Sequence, residues 1–480
     1  MGLGIITESQ PAKMKRNNIV VFSGGSAANT LVDVFGNVAR EKCCTLSYII
    51  PISDNGGSSS ELIRVFGGPG IGDVRSRLVR LIPEDVAGND PEKAAMKTFF
   101  NHRLASTPEA ARAEWLDIVE ARHELWTSIS SEKEELIRSF LNTINLEIVK
   151  RARPSSFFNF QSAAVGNLFL TGARLFTGSF ESAIYLLGSI TGVPSNVSVI
   201  PAINSNFSHH ICAGLRDGTS IVGQNSISHP SAVPNPLSGG EDDIDGPMSP
   251  TTVQRRTFEE LIMHDSVEDA NLPGSLPTLR KQYIDFHKYG TEDLPSRIRR
   301  IWYINPYGQE IRPSPNPKAL AALGNSQAVI YSIGSLYTSI VPCLILKDVG
   351  DAIAASGIRS KILILNGSID RETGPASNPY CARDFICAIS NACGTSRGDL
   401  RVEAADMNKY VTHVIHLEGE GTPKVDKDEL KGLGIETYRV YGRKNPEGGM
   451  LYDGKALTQA LESILGREDK GHVRRNTLQH

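Results

Sequence analysis

Residues 19–26 read IVVFSGGS, and residues 46–60 read LSYIIPISDNGGSSS. Each stretch begins with β-branched and aromatic residues, which are typical of a buried strand, and ends in a glycine turn with hydroxyl side chains. The residues after each turn are compatible with a helix, and Ser58 and Glu61 have the spacing of a capping box. Two successive strand–turn–helix units of this kind predict a parallel sheet.

The same alternation of strand-like and helix-like segments returns in the second half of the chain. Strand-like segments lie at 299–303, 328–333, 361–365, 412–417 and 436–440, before an amphipathic closing helix near 454–465. Together with the first two units, they predict a doubly wound, Rossmann-like α/β fold with a mostly parallel sheet.

One such domain is expected over residues 18–445, between an N-terminal tail at 1–17 and a C-terminal helix and tail at 446–480. It carries two insertions. The stretch of about 84–153 is rich in Ala, Glu, Leu and Arg and predicts helices. The stretch of about 229–256 is rich in Pro, Ser, Gly and acidic residues and predicts a disordered loop.

Composition narrows the classes of partner. The chain of 480 residues carries 50 basic and 53 acidic residues and a formal charge of -3, so no broad positive field attracts nucleic acid or an anionic membrane. Its seven cysteines lack a C-x-x-C pair, which indicates reduced thiols. Because no signal peptide or membrane span is evident, we expect a cytoplasmic protein, and a homo-oligomer is compatible with this composition.

The first glycine turn is a candidate anion site. Successive backbone N–H groups at a helix N-terminus form a positive concavity, and Gly24, Gly25 and Ser26 lie where a phosphate would use it. The turn is neither a Walker A sequence nor G-x-G-x-x-G. A plain tight turn is the alternative interpretation.

The second glycine turn adds a carboxylate to the same kind of backbone. Asp54 leaves a strand beside Gly56, Gly57 and Ser58, so it could bind a metal ion or a hydroxyl while the turn binds an anion. In dinucleotide-binding folds an acidic residue at this place accepts hydrogen bonds from a ribose. A solvated turn with a helix cap is the third interpretation.

A third glycine-rich segment, 67–72, leads to Asp73 at an expected helix start, where this residue could be a ligand or an N-cap. On a helix, Arg75, Arg77 and Arg80 cannot all face one direction, so at most some of them could meet a phosphate.

Two further blocks interrupt regular structure. One contains Gly166 and Asn167. The other follows a strand directly and offers backbone N–H groups and hydroxyls at a helix entrance, from Gly334, Ser335, Thr338 and Ser339. Each block could instead mark a point of close helix–sheet packing.

In this order the blocks resemble the 2-phospho-L-lactate transferase (CofD)/YvcK family, which shows GG-T-G-like, A-D-D-G-G-S-S-like, P-G-D-I-R, S-x-G-N-L and G-P-G-S-L-Y-T-S-I-x-P segments. The matching residues here are Gly24 and Gly25, Asp54 to Ser59, Gly72 to Arg75, Gly166 to Leu168, Gly334 to Pro342, and the Pro315 to Pro317 stretch.

The resemblance implies a transferase that moves a phospho-lactyl-like group from a nucleoside diphosphate-linked donor of GDP or UDP type, with Mg²⁺. Asp54 and Asp73 would then be the catalytic carboxylates and the metal ligands. A degenerate member of that family is also compatible with the resemblance. The alternative that it implies is a YvcK-like regulator of carbon metabolism that binds a nucleotide sugar or dinucleotide without catalysis.

Two features of the second turn bear on this choice. Asn55 stands where the family has a second Asp, which removes one anionic ligand for a divalent cation. The G-G-S-S run is closer to YvcK than to the transferase. A nicotinamide-dependent dehydrogenase is disfavoured, because the glycine fingerprint differs.

Overall fold

The computed structural model describes residues 17–53, 56–84, 90–152, 157–229, 276, 293–399, 401–446 and 448–466. Asp54, residues 1–16 and 467–480 of the predicted terminal segments, and nearly all of the predicted disordered loop at 229–256 lie outside the described residues. Among the described helices, none combines the length and the apolar character that a membrane span requires.

Thirteen strands are described: β1 (Asn18–Phe22), β2 (Thr45–Ile50), β3 (Val197–Pro201), β4 (His210–Leu215), β5 (Ser220–Val222), β6 (Ile298–Ile304), β7 (Glu310–Ile311), β8 (Ser326–Tyr331), β9 (Ser360–Ile364), β10 (His413–His416), β11 (Glu436–Arg439), β12 (Gly442–Lys444) and β13 (Met450–Tyr452). Seven of them form a parallel sheet in the order β11–β10–β9–β8–β1–β2–β3. Helices flank this sheet, so the predicted doubly wound α/β fold is confirmed.

The described helices are α1 (Val32–Glu41), α2 (Ser58–Phe66), α3 (Gly72–Arg80), α4 (Pro91–Asn101), α5 (Pro108–Val119), α6 (Ser131–Arg151), α7 (Val165–Thr177), α8 (Phe180–Thr191), α9 (Gln224–Ser228), α10 (Pro317–Gly324), α11 (Val341–Leu344), α12 (Val349–Ala354), α13 (Ala382–Arg397), α14 (Lys427–Gly432) and α15 (Gly454–Ile464). Short 3₁₀ or π turns lie at 27–31, 124–126, 336–340, 371–373 and 404–409.

Central strands of the sheet are buried on both faces. Every residue of β1 is buried, and Val20 and Val21 are 0% exposed, which explains why this strand is a continuous apolar run rather than an alternating one. Helix α1 places Val34, Phe35 and Val38 toward the core, as expected of an amphipathic helix covering a sheet.

Helices α4 to α6 occupy the segment for which a helical insertion is predicted. They are part of the main core, because Phe99, Phe100 and Trp115 are buried in the same apolar cluster as the central sheet. Helix α6 packs along α7 so closely that a Cβ atom on Gly172 would lie 2.2 Å from the carbonyl oxygen of Phe140.

A second, antiparallel sheet has the order β5–β4–β6–β7. The strand-like segment at 299–303 belongs to this sheet as β6, so the prediction that it continues the strand–helix alternation of the parallel sheet is wrong. The physical reason is burial: Arg299 and Arg300 in β6 are exposed, whereas strands inside a parallel sheet are covered on both faces.

Helix α2 begins at Ser58 as predicted, but not through a capping box. Gly57 is the cap residue, with a φ of +54° that favours glycine. The carboxylate of Glu61 instead accepts hydrogen bonds from Arg64 and from the backbone N–H of Asn159. The capping-box prediction is therefore wrong.

Strand order reverses between β1 and β8. From β1 the chain adds β2 and β3 on one side, and β8 is followed by β9, β10 and β11 on the other. The loops after β1 and β8 therefore diverge and leave a crevice at the carboxyl ends of these strands, where α/β proteins bind their ligands.

Candidate functional site

A cavity of about 920 Å³ occupies this crevice. Its walls come from residues within 24–31, 56–59, 333–339 and 366–370, which follow β1, β2, β8 and β9. Helix α3 and residues of the β12–β13 hairpin contribute further parts of the lining. The predicted glycine turns therefore face one shared space.

The carboxylate of Asp73 lies against the first glycine turn and lines the cavity. The cap residue of α3 is Ile71, so the N-cap alternative for Asp73 is wrong. A Cβ atom on Gly25 would lie 2.4 Å from Asp73 Oδ1, and a Cβ atom on Gly24 would lie 2.4 Å from Ser339 Oγ. These close approaches require glycine at both positions.

The three arginines of α3 diverge, as their helical spacing predicts. Arg75 lines the cavity. Arg77 is fully buried and donates a 3.0 Å hydrogen bond to the carbonyl oxygen of Gly24, and its burial lowers its pKa. Arg80 pairs with Asp33 on the surface. One arginine therefore faces the cavity, while a second supports the glycine turn from behind.

Two adjacent serines of α2 have different environments. Ser58 Oγ accepts hydrogen bonds from the Ala164 N–H at 3.3 Å and from Asn167 Nδ2 at 3.0 Å, which ties α2 to the start of α7. Ser59 is 1% exposed and lines the cavity, and its hydroxyl has no hydrogen-bond partner among the described residues. A buried polar group without a partner is unfavourable unless a ligand supplies one.

Asn167 connects this pair of helices to α3. Arg75 Nε donates to Asn167 Oδ1 at 3.2 Å, and Arg75 Nη1 donates to Asn101 Oδ1 at 3.0 Å. Gly166 packs behind this network, because a Cβ atom there would lie 2.5 Å from the carbonyl oxygen of Phe100. For Gly166, the observed environment is that of the close-packing alternative.

The glycine segment after β8 divides into two faces. Gly334, Ser335 and Ser339 line the cavity. Thr338 turns away, and its hydroxyl donates to Glu372 Oε1 at 2.6 Å. The backbone N–H groups of Tyr337 and Thr338 both donate to Glu372 Oε2, at 2.8 and 3.1 Å. These two N–H groups are thus satisfied by the protein itself.

Sequence reasoning did not single out the segment after β9, which borders the cavity. Asn366 exchanges two 2.9 Å hydrogen bonds with the backbone of Gly334. Arg371 donates to the carbonyl oxygens of Ser226 and Ile227 in α9. The sequence feature that could have identified this segment is its position, because it directly follows a buried strand that neighbours β8.

Two carboxyl groups in this segment have raised pKa values. Asp370 lines the cavity, and burial raises its pKa. Glu372 is 1% exposed, and burial together with the charge of Asp370 raises its pKa to about 8. Such shifts are typical of functional sites in clefts.

A further group of side chains has the proximity of metal ligands. Ligand atoms of His102, Glu114 and His123 all lie within 4.8 Å of one another, outside the cavity lining. However, His123 Nδ1 accepts a hydrogen bond from the Leu125 N–H, so in the neutral ring Nε2 carries the proton and cannot coordinate an ion. We interpret this group as a hydrogen-bonded cluster.

The cavity gathers most of the predicted site residues. Those lining it are Gly24, Gly25, Ser26, Gly56, Gly57, Ser58, Asp73, Asn167, Gly334, Ser335 and Ser339. Gly166 and Thr338 do not line it, and Asp54 lies outside the described residues.

Similar proteins were found over nearly the whole chain. The "Uncharacterized protein YNL011C" of Saccharomyces cerevisiae is 36% identical over 445 residues, which cover 88% of this chain and 95% of that protein. The "Gluconeogenesis factor" of Halalkalibacterium halodurans is 21% identical over 449 residues, which cover 93% and 96%.

The solved structure of protein BH3568 from Bacillus halodurans shares the fold, with a TM-score of 0.56 and 18% identity over 93% of this chain and 99% of that one. A second structure of that protein, described as a member of the UPF0052 family, gives a TM-score of 0.55 at 19% identity over 94% and 100%. A family model described as "2-phospho-L-lactate transferase CofD" matches residues 19–441, and the chain therefore belongs to the CofD family.

Proposed function

We propose that the cavity binds a nucleoside diphosphate-linked small molecule together with Mg²⁺. The observation that carries this proposal is the convergence of three glycine-bearing loops, after β1, β2 and β8, on one cavity beside Asp73. Backbone N–H groups in such loops stabilise phosphate oxygens, and the strand-order reversal is where doubly wound folds bind nucleotides. A volume of about 920 Å³ is in the range of sites for ligands of this size.

The residues present fit a magnesium ion. Asp73 lines the cavity, and its carboxylate is held against the glycine turn that would contact the phosphates. Mg²⁺ is commonly bound by one or two carboxylates together with substrate phosphates. Asp73 would hold the ion with Asp54, and the ion would neutralise negative charge on the diphosphate.

Transfer of a phospho-lactyl-like group is our first candidate for the chemistry. The family name supports it. In such a reaction an acceptor hydroxyl attacks a phosphorus atom of the donor, the diphosphate bond breaks, and a nucleoside monophosphate leaves. Arg75 and the glycine turns would hold the phosphates, and Asp73 or Asp54 would position or deprotonate the hydroxyl.

The second candidate is ligand binding without transfer, in a regulator of carbon metabolism. A specific observation favours it: the relative that matches 93% of this chain has the name "Gluconeogenesis factor". A regulator would need the same phosphate contacts but no acceptor site.

Thermal shift with UDP-glucose, GDP-mannose and NAD⁺, with and without Mg²⁺, tests the binding proposal. We expect a higher melting temperature with at least one of them, and a larger shift with Mg²⁺. An unchanged melting temperature with all three ligands would refute the nucleotide site. Release of nucleoside monophosphate from a bound ligand, in the presence of an acceptor hydroxyl, would distinguish transfer from binding alone.

A further inference from the structure

Glu372 accepts the hydrogen bonds of backbone N–H groups at the start of the 336–340 turn, so these groups do not bind another anion. Its two oxygens accept three hydrogen bonds, from the backbone of Tyr337 and Thr338 and from the Thr338 hydroxyl. The same turn carries Ser339, whose hydroxyl lies against Gly24. Glu372 therefore fixes one wall of the cavity without lining it.

Among the described residues packed against Glu372, no cation balances its charge. The 371–373 turn packs against α9 and the 336–340 turn, and neither of these elements contains an acidic or basic residue. His229 follows α9, and the guanidinium of Arg371, the residue before Glu372, is directed to carbonyl oxygens of α9. The hydroxyl of Tyr337 contacts Tyr380. The nearest like charge is Asp370, which lines the cavity.

Both protonation states of Glu372 keep the same three contacts between heavy atoms, but only the carboxylate accepts the hydrogen of the Thr338 hydroxyl. The carboxylate accepts all three hydrogen bonds. In the acid form, Oε2 still accepts from the two N–H groups, while the Oε1 hydroxyl donates to the oxygen of Thr338 instead. The wall therefore keeps its geometry, and only the negative charge beneath it changes. The raised pKa of Glu372, about 8, places this change near neutral pH.

We propose that Glu372 is a positioning residue whose side chain takes up one proton from solvent, at Oε1, when an anionic diphosphate enters the cavity. This inference rests on the proposed function. In the absence of Mg²⁺, the ligand would bring negative charge into the cavity that Asp370 lines, and repulsion between that charge and the acid pair favours the protonated form of Glu372. By linkage, a ligand that promotes protonation binds more weakly once pH rises above the pKa of the free protein.

The variant Glu372→Gln separates charge from positioning. The Gln amide has the shape of the protonated acid: its oxygen can accept from the two N–H groups, and its NH₂ can donate to Thr338. Glu61→Gln is the matched control, because Glu61 is also 1% exposed but has its charge balanced by Arg64.

Titration calorimetry with UDP-glucose, GDP-mannose or NAD⁺ without Mg²⁺, in Tris and in HEPES at pH 8, measures the proton uptake directly. We expect uptake of at most about half a proton per ligand for the unmodified protein, because half of the Glu372 side chains already carry one at their pKa. Affinity should stay level up to about pH 8 and then fall by up to about tenfold per pH unit. Glu372→Gln should bind with unchanged affinity at pH 7 and show neither effect, whereas Glu61→Gln should show both.

A melting experiment without ligand tests the titration itself. The folded-state pKa of Glu372 is raised, so its stabilising protonation is complete below the unfolded pKa and is lost as pH rises to about 8. The melting temperature of the unmodified protein should fall between pH 6.5 and 8 more steeply than that of Glu372→Gln.

Equal slopes for these two proteins would overturn the inference. Binding without proton uptake, or the same uptake in Glu372→Gln, would overturn the coupling and leave the proposed function standing. Failure of all three ligands to bind would refute both.

Discussion

The contrast between Ser58 and Ser59 gives the sharpest test of the cavity as a ligand site. Both serines are buried at the start of α2 and differ by one position. Ser58→Ala removes the acceptor for the Ala164 N–H and for Asn167 Nδ2. Leaving two buried donors without an acceptor costs about 1–3 kcal/mol for each, so we expect the free energy of unfolding to fall by about 2–6 kcal/mol.

Ser59→Ala should behave in the opposite way. The Ser59 hydroxyl is buried and has no partner among the described residues, so its removal breaks no hydrogen bond within the described structure. The free energy of unfolding should stay the same or rise by up to about 1 kcal/mol. If the hydroxyl binds the ligand, affinity should fall by about 0.5–1.5 kcal/mol, which is roughly two- to twelvefold.

Urea denaturation without ligand and calorimetric titration with UDP-glucose measure the two quantities separately. The expected pattern is a stability loss confined to Ser58→Ala and an affinity loss, at equal fraction folded, in Ser59→Ala. The reasoning is refuted if Ser59→Ala destabilises the protein by more than about 1.5 kcal/mol, since the hydroxyl would then have a partner in the protein.

Three other predictions follow from single contacts. Asp73→Asn should weaken Mg²⁺-dependent binding of UDP-glucose by about tenfold or more, because one anionic ligand is lost. The control is Asp33→Asn, which should not weaken this binding because Asp33 faces Arg80 on the surface. Melting temperatures of both variants equal to that of the unmodified protein would confirm intact folds. Gly25→Ala should abolish binding of UDP-glucose, because the new Cβ atom would lie 2.4 Å from Asp73 Oδ1. The matched variant is Gly36→Ala, whose Cβ atom would have no neighbouring atom within 4 Å. It should raise the free energy of unfolding, measured by urea denaturation, by about 0.5–1 kcal/mol. Burial lowers the pKa of His210 to about 4, so the free energy of unfolding should fall by up to about 3 kcal/mol as pH drops from about 6.5 to about 4, and His210→Gln should lack this slope.

Much of the fold follows from local patterns in the sequence. The apolar runs that precede Ser23 and Ser53 are strands of the parallel sheet because only residues that tolerate burial on both faces occupy central positions. The segment at 299–303 has a similar local pattern, yet as β6 it lies in the antiparallel sheet. Strand partners depend on contacts far away in the sequence, which a local pattern does not contain.

Prediction of the site was limited in the same way. Glycine turns and Asp73 could be selected because their residue types bind anions or cations. Glu372 could not, because a glutamate two residues after Asp370 in a polar segment is typical of an exposed loop. Its hydrogen bonds to the 336–340 turn depend on its burial beneath that turn, and burial is a property of the folded chain.

The contact between Gly24 and Ser339 explains why neither glycine turn alone predicts a ligand site. In the proposed phosphate site each turn would supply only one side, and more than 300 residues of chain separate the two turns. The reversal of strand order places β1 beside β8, so the two turns meet at distances that leave no space for a Cβ atom on Gly24. Their spacing, and with it the ligand that fits between them, is therefore determined by the packing of the two central strands.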